Sequence, residues 1–423
     1  MNFIEELRWR GMVHDLMPGT EETLSKGGCS GYIGFDPTAD SLHIGSLVQI
    51  MTLVHFQRCG HKPIALLGGA TGMVGDPSGK SQERNLLDYD TLVNNCKGVQ
   101  DQLSRFLDFT GSNAAELVNN YDWFNAMSFL DFIRDVGKHI SISYMLAKDS
   151  VKSRLENGMS FTEFTYQLVQ GYDFYYLNLH KNCILQMGGS DQWGNIVTGT
   201  ELIRRKSGKE AYAITTPLIK KADGSKFGKT EDGNIWLSKE RTSPYKFYQY
   251  WLNASDEDAA TYIKIFTLLS REEIISLEKA HKEAPHLRLL QRSLANDVTL
   301  RVHGEEELVK AQAATEILFG KATSEALNSL DESTFFQVFD GVPQAHISKS
   351  LLTMGIPIVD LLVTASQFLS SNSEARRELK ANAISVNKER IDEQFVLHAK
   401  HLLNNRYVLI SKGKKSNFIA VFN

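Results

Sequence analysis

The stretch from Tyr32 to Ser46, YIGFDPTADSLHIGS, restricts the folds open to this chain more than any other. Gly31 to Phe35 is a short run fit for a strand, and Asp36-Pro37-Thr38 is a turn. Asp40-Ser41 then offers short polar side chains that can receive the free N–H groups of a helix start. From His43 onward Ile44, Leu47, Met51 and Val54 recur at helical spacing. A strand that turns straight into a helix leaves the helix N-terminus facing the strand's end, a natural place for an anionic group. His43 and Gly45 fall in the first turn, where a cation and a missing side chain would both help phosphates approach. Taken alone, His43 reads equally well as a surface residue on a helix start.

The pattern repeats. After the break Gly60-His61-Lys62-Pro63, the run Ile64 to Leu67 ends in Gly68-Gly69. Later, Cys183 to Met187 ends in Gly188-Gly189-Ser190-Asp191, and a helix from near Gln192 reaches Lys206-Ser207-Gly208. Strand, helix and strand within about forty residues make a parallel crossover unit. The expected class is therefore α/β, a parallel sheet whose ligands bind beyond the carboxyl ends of its strands.

A chain of 423 residues holds two or three domains. With 42% hydrophobic and 23% charged residues and no apolar run near the ~20 that span a bilayer, no membrane segment is expected. The N-terminus MNFIEELRWRG lacks the apolar core of a signal peptide. Cys29, Cys59, Cys96 and Cys183 are scattered without metal-ligand spacing, which suits a reducing cytoplasm and disfavours a zinc site.

Residues 1–240 are expected to hold the sheet, with a helical insertion at about 100–180 that packs a core or forms a subunit contact. Amphipathic helices fill 241–325, starting at Ser243-Pro244 and including a capping box at Ser270 and Glu273. Residues 326–347 read as a linker and 348–423 as a small α+β module. Residues 374–423 hold ten Lys and Arg against five Asp and Glu, whereas the whole chain carries −4. That contrast fits a polyanionic partner met by the tail, or a merely solvated surface.

Three further stretches carry polar chemistry. In Gly68 to Ser81, a P-loop would need glycine five residues before Gly79-Lys80, where Val74 stands. It reads instead as a mobile loop bearing Asp76, Lys80 and, just beyond, Arg84. Ser160 and Glu163 form a capping box, and the helix they start sets Tyr166, Gln170 and Asp173 on one face, as a polar pocket wall or a solvated stripe. Lys226-Phe227-Gly228-Lys229-Thr230 puts two lysines around a glycine, able to reach one phosphate chain.

In order and spacing these stretches resemble the bacterial and organellar tyrosyl-tRNA synthetases, class I enzymes, over the whole chain. YIGFDPTADSLHIG resembles the first family signature and KFGKT the second; GGATGMVGDPSG, SFTEFTYQLVQGYDF and GGSDQWGN lie between them. The resemblance implies a Rossmann-like catalytic domain with a helical insertion, an α-helical anticodon-recognition domain, and a C-terminal RNA-binding fold shared with a small-subunit ribosomal protein. It implies tyrosine–tRNA ligase activity on L-tyrosine, ATP and tRNA(Tyr), with Mg2+ accompanying the phosphates. A cytoplasmic homodimer joined through the insertion is implied, with no membrane or DNA partner.

The same resemblance assigns His43, Thr38, Lys80, Arg84, Lys226, Lys229 and Thr230 to the reacting phosphates. Gly34, Asp36, Gly45, Gly189, Asp191 and Phe227 join His43, Lys226 and Lys229 around ATP, with Gly45 leaving room for adenine and Asp191 holding the ribose. Tyr32 and Asp173 would face the substrate phenol, Asp76, Tyr166 and Gln170 its ammonium, and Gln192 its carboxyl. Arg376, Arg377, Lys380, Lys388, Lys412, Lys414 and Lys415 would meet the tRNA backbone.

Two positions depart from the family pattern. Ser46 replaces the second histidine of the first signature, and Ile33 stands where some relatives carry a side chain able to touch the ribose. Two rivals remain. A tryptophan-activating relative is disfavoured by the Tyr32 and Asp173 pair, because indole has no hydroxyl to meet them. An RNA-binding scaffold without activity would be free to lose His43, Lys226 and Lys229, all present here.

Overall fold

The computed structural model describes residues 2–78, 87–155, 158–230, 233–319, 327, 331–339, 342–413 and 416–423. They form two compact units: Met1–Thr242 with Tyr250–Val302, and Ser243–Gln249 with His303–Asn423.

The first unit is built on five parallel strands, β1 (Ser30–Phe35), β2 (Lys62–Leu67), β3 (Glu116–Asn119), β4 (Cys183–Gly189) and β5 (Tyr212–Thr216). Their order is β3-β2-β1-β4-β5. The middle strands are buried along almost their whole length, so they read as apolar runs rather than alternations. Helix Leu47–Arg58 buries residues on every side, from Leu47 and Ile50 to Leu53 and Phe56, as a connector wedged between layers must. Strand order reverses between β1 and β4, where Tyr32 pairs with Gln186 and, on its other side, with Ile64. Open parallel sheets bind ligands at that reversal.

Four details differ from the sequence reading. The helix after β1 begins later than Asp40-Ser41: a 3-10 turn, Ile44–Ser46, precedes helix Leu47–Arg58. Ser41 instead donates to the Leu42 carbonyl and accepts Gln102 Nε2 at 2.9 Å, a long-range bond that outcompetes local capping. The loop after β2 holds a short helix, Thr71–Val74. The region read as helical from 100 contains the edge strand β3, four residues too short to show a period of its own.

The helices after residue 240 do not form one separate unit: Ser243–Gln249 belongs to the second unit, whereas helices Asp256–Phe266, Arg271–Glu283 and Leu289–His303 pack largely within the first. The Arg10 guanidinium donates to the carbonyls of Lys264, Thr267 and Leu269 at 2.6–2.9 Å, satisfying carbonyls around the end of helix Asp256–Phe266. Trp9 packs against the cluster of Ala259, Ile263, Ile274 and Leu290.

In the second unit the strands Glu389–Arg390, Ile384–Val386, Tyr407–Lys412, Ser416–Phe422 and Gln344–Ile347 form one sheet in that order. Successive residues of Tyr407–Lys412 alternate between two cores. Val408 and Ile410 meet Leu379, Ile384 and the segment around Leu361, whereas Tyr407 and Leu409 meet Phe335, Phe339 and Ala314. The described residues of 326–347 are thus no linker: helix Glu332–Val338 packs in the second of these cores, and strand Gln344–Ile347 joins the sheet and the first. Phe335 and Phe339, fully buried, were the contrary signal. Among the described residues no helix is long and apolar enough to cross a membrane.

Candidate active site

A cleft of about 290 Å3 opens at the carboxyl ends of β1 and β4. It gathers Tyr32, Gly34, Asp36, Thr38, His43, Gly45, Asp76, Tyr166, Gln170, Asp173, Gly189, Asp191 and Gln192 from four distant parts of the chain. Every sequence-assigned tyrosine contact is in that set. Helix Phe161–Lys181 presents Tyr166, Gln170 and Asp173 to the cleft, as their spacing of four and three predicts. Ser160 caps this helix, accepting the Glu163 N–H at 3.2 Å. The Glu163 carboxylate forms an ion pair with Arg154 at 2.8 Å, both side chains buried.

One end of the cleft is closed by Tyr32 and Asp173, each 1% exposed. The Tyr32 hydroxyl has no hydrogen-bond partner among the described residues. Asp173 is held by two donors, Trp123 Nε1 to Oδ1 at 2.9 Å and Asn120 Nδ2 to Oδ2 at 3.0 Å. Burial pushes its pKa up to about 8 against the opposing pull of these donors, with Asp36 adding to the rise. A buried hydroxyl and a buried carboxyl at this end suit a ligand group that can hydrogen-bond to both.

The middle of the cleft is a carboxylate network. Tyr166 donates its hydroxyl to Asp36 Oδ2 at 2.8 Å, and Thr71 donates to Oδ1 at 2.7 Å. Burial first, then Asp36, raises the Tyr166 phenol well above its ordinary pKa, so it stays a donor. Gln192 Nε2 reaches Asp76 Oδ2 at 2.7 Å, and the Ser78 N–H reaches Oδ1 at 3.0 Å. Two oriented carboxylates beside Gln170 suit a primary ammonium.

At the other end His43 Nδ1 accepts the Gly45 N–H at 3.0 Å, so the proton of the neutral ring sits on Nε2. Gly189 and Asp191 face this turn across the cleft mouth, with Gln49 and Leu218 beside them.

The lysine loop lies next to the same turn. The Ile44 N–H bonds the Ile235 carbonyl, and the Ile235 N–H bonds the Gly228 carbonyl. Lys226 is exposed and does not line the cleft. The Phe227 ring turns away, stacking on Phe266 at 5.2 Å, so any contact of Phe227 with a nucleotide comes from its backbone. Lys229–Thr230 pairs with Gly233–Asn234, and the Lys229 and Thr230 side chains lie outside the described part. Lys80 and Arg84 also lie outside the described residues.

In the second unit, Arg376 pairs with Glu393 at 2.9 Å, Arg377 with Glu378 at 3.1 Å and Lys412 with Glu374 at 3.0 Å. Pairs at or near the surface like these are worth little to stability. Lys380 is exposed; Lys388 is half-buried, which lowers its pKa. Lys414 and Lys415 lie outside the described residues.

Sequence reading missed Asn120, Trp123 and Thr71, which orient the carboxylates, and Gln186, buried beside Tyr32 with its carbonyl oxygen unpartnered among the described residues. The one available signal was Asn119-Asn120 after an apolar pair, since polar residues at a strand end often face a site.

The sequence profile of "tRNA synthetases class I (W and Y)" matches residues 25–320, and that of the "Tyrosine--tRNA ligase SYY-like C-terminal domain" matches 334–420. The chain is 62% identical over 425 aligned positions to a tyrosine–tRNA ligase of Flavobacterium psychrophilum, covering 99% of each. It is 60% identical over 428 positions to that of Porphyromonas gingivalis, covering 100% of each. Among solved structures it is similar to a C-terminally truncated mitochondrial tyrosyl-tRNA synthetase of Aspergillus nidulans. That match has a TM-score of 0.69 and 30% identity, covering 75% of this chain and 94% of that one.

Proposed function

The chain belongs to the class I tRNA synthetases of the tryptophan and tyrosine type, and we propose that it acts as a tyrosine–tRNA ligase. In this reading it joins L-tyrosine to ATP, releases pyrophosphate, and passes tyrosine to the terminal adenosine of tRNA(Tyr). The observation that carries the choice of amino acid is the buried pair of Tyr32 and Asp173 at the cleft's closed end. A phenol entering ring-first donates to Asp173 and accepts from the Tyr32 hydroxyl. Phenylalanine leaves both unpaired, a penalty for which tyrosine-activating synthetases are themselves the usual illustration.

The substrate carboxylate is the nucleophile. One of its oxygens bonds to the α-phosphorus as the bond to pyrophosphate breaks, so no protein nucleophile takes part. Asp76 and Gln170 hold the ammonium, with Tyr166 acting through Asp36. Asp191 takes the ribose hydroxyls, and Gly189 and Gly45 lie along the nucleotide. The His43 Nε2–H and Thr38 face the phosphates, and Lys80, Arg84, Lys226, Lys229 and Thr230 close over them. Catalysis then comes from alignment and from positive charge where the phosphates gain negative charge. Among the described residues no cluster of acids and histidines could cage a metal, so Mg2+ would travel on the phosphate oxygens.

The second unit meets tRNA through Arg376, Arg377, Lys380, Lys388, Lys412, Lys414 and Lys415, with the helices before it reading the anticodon. A homodimer in the cytoplasm completes the reading. Its support is the insertion, where Phe129, Leu130, Ile142 and Phe161 are each more than 60% exposed.

ATP–pyrophosphate exchange with tyrosine, phenylalanine and tryptophan tests the reading. Exchange with tyrosine alone is expected; exchange driven by tryptophan, or by none, overturns it.

A further inference from the structure

A second cavity, of about 610 Å3, lies against β3, the edge strand of the parallel sheet. It shares no lining residue with the catalytic cleft. Its volume falls in the range of pockets that enclose small organic ligands.

Rings dominate its walls. Tyr89 and Tyr121 stand 5.5 Å apart at 51°, and Trp123 and Tyr176 stack at 4.4 Å. Helix Tyr89–Leu103 forms the facing wall and leaves Tyr89 and Val93 half exposed at the cavity. Half-exposed rings and branched aliphatics around a concave surface offer an apolar slot to a flat ligand.

Charge decides the ligand's other end. Lys181 is already bound to Glu116 at 3.3 Å. Lys97, exposed on the same helix as Val93, has no ion-pair partner among the described residues. Asp122 is the one carboxylate in the lining, and it forms no ion pair with Lys97 among the described residues, so that ammonium is left to meet an anion.

We propose that this cavity binds a planar aromatic carboxylate, with its rings against Tyr89 and Tyr121 and its carboxylate on Lys97. The site is separate from the catalytic cleft and does not depend on which amino acid the cleft takes.

Naphthalene-2-carboxylate is the probe, titrated calorimetrically into the full chain with and without saturating L-tyrosine. One site with Kd below about 1 mM is expected, and it persists when tyrosine is saturating. Val93→Arg, which fills the mouth, abolishes the heat, and Lys97→Glu weakens binding by at least about tenfold. Both variants keep pyrophosphate exchange, which shows that they fold. Naphthalene-2-methanol, lacking the charge, binds both Lys97 forms alike. The proposal is overturned by absence of binding, by complete displacement with L-tyrosine, or by unchanged affinity in both variants.

Discussion

The imidazole of His43 rests on the backbone of Gly45. Its Nδ1 accepts the Gly45 N–H at 3.0 Å, and a Cβ on Gly45 would stand 2.7 Å from Cε1. The glycine is therefore required by the histidine, quite apart from any room it leaves for a nucleotide. Gly45→Ala should tilt the ring off its position and slow tyrosyl-adenylate formation by about a hundredfold. The KM for tyrosine should hardly change, because the amino-acid end lies elsewhere in the cleft. Pre-steady-state formation of the adenylate measures this; a wild-type rate would mean that the ring's placement is immaterial.

Asp173→Ala removes the acceptor for the substrate phenol and strands the Asn120 and Trp123 donors. Losing a charge-capable partner in a buried site should lower kcat/KM for tyrosine by at least about a hundredfold. ATP affinity should stay within about threefold, a shift below 1 kcal/mol. Equal losses for both substrates, measured by exchange kinetics at varied ATP and tyrosine, would remove Asp173 from the amino-acid end.

Stability should depend on pH through the same carboxyl. Its pKa is about 8 folded against an ordinary 3.8, so between these values the folded state keeps a proton that the unfolded state has lost. Stability from this group is therefore full below pH 4, falls as pH rises toward 8, and is flat above. The slope reaches up to about 1.4 kcal/mol per pH unit. In denaturant melts without substrate, Asp173→Asn should lose that slope; identical slopes in the two proteins would contradict it.

Gly228 has φ +83°, and a Cβ there would come within 3.2 Å of Ile44 Cγ1. Gly228→Ala should cost about 1–2 kcal/mol of local strain and loosen the lysine loop from the turn that carries His43. Exchange activity should fall while tyrosine binding, followed by calorimetry, is kept.

Deleting residues from 345 onward should leave adenylate formation intact but abolish tRNA charging. The cut also passes through a shared core, since Phe335 and Phe339 pack on Tyr407, Leu409 and Ile419. The truncated chain should therefore aggregate more readily than one ending at 303, which light scattering compares directly.

Much of the site was legible because its chemistry is written in short local patterns. Tyr166, Gln170 and Asp173 share a helix face by spacing alone, and the strand ends at Phe35 and Gly189 announce themselves through the residues that follow. Asn120, Trp123 and Thr71 were not legible, since each acts on a carboxylate between 35 and 53 residues away. The stretch 326–347 misled for a similar reason: its turn residues are local, but its partners on the terminal strands are not.

From the sequence alone came the kind of sheet, the turn bearing His43 and the faces of individual helices, because these follow from neighbours within one or two turns of backbone. Only the tertiary structure decided which donors hold each carboxylate, where the Phe227 ring goes, and that the helices between Tyr250 and Val302 pack with the catalytic unit. Those outcomes depend on contacts between segments far apart in the chain, such as Arg10 with Thr267, and no local spacing encodes them.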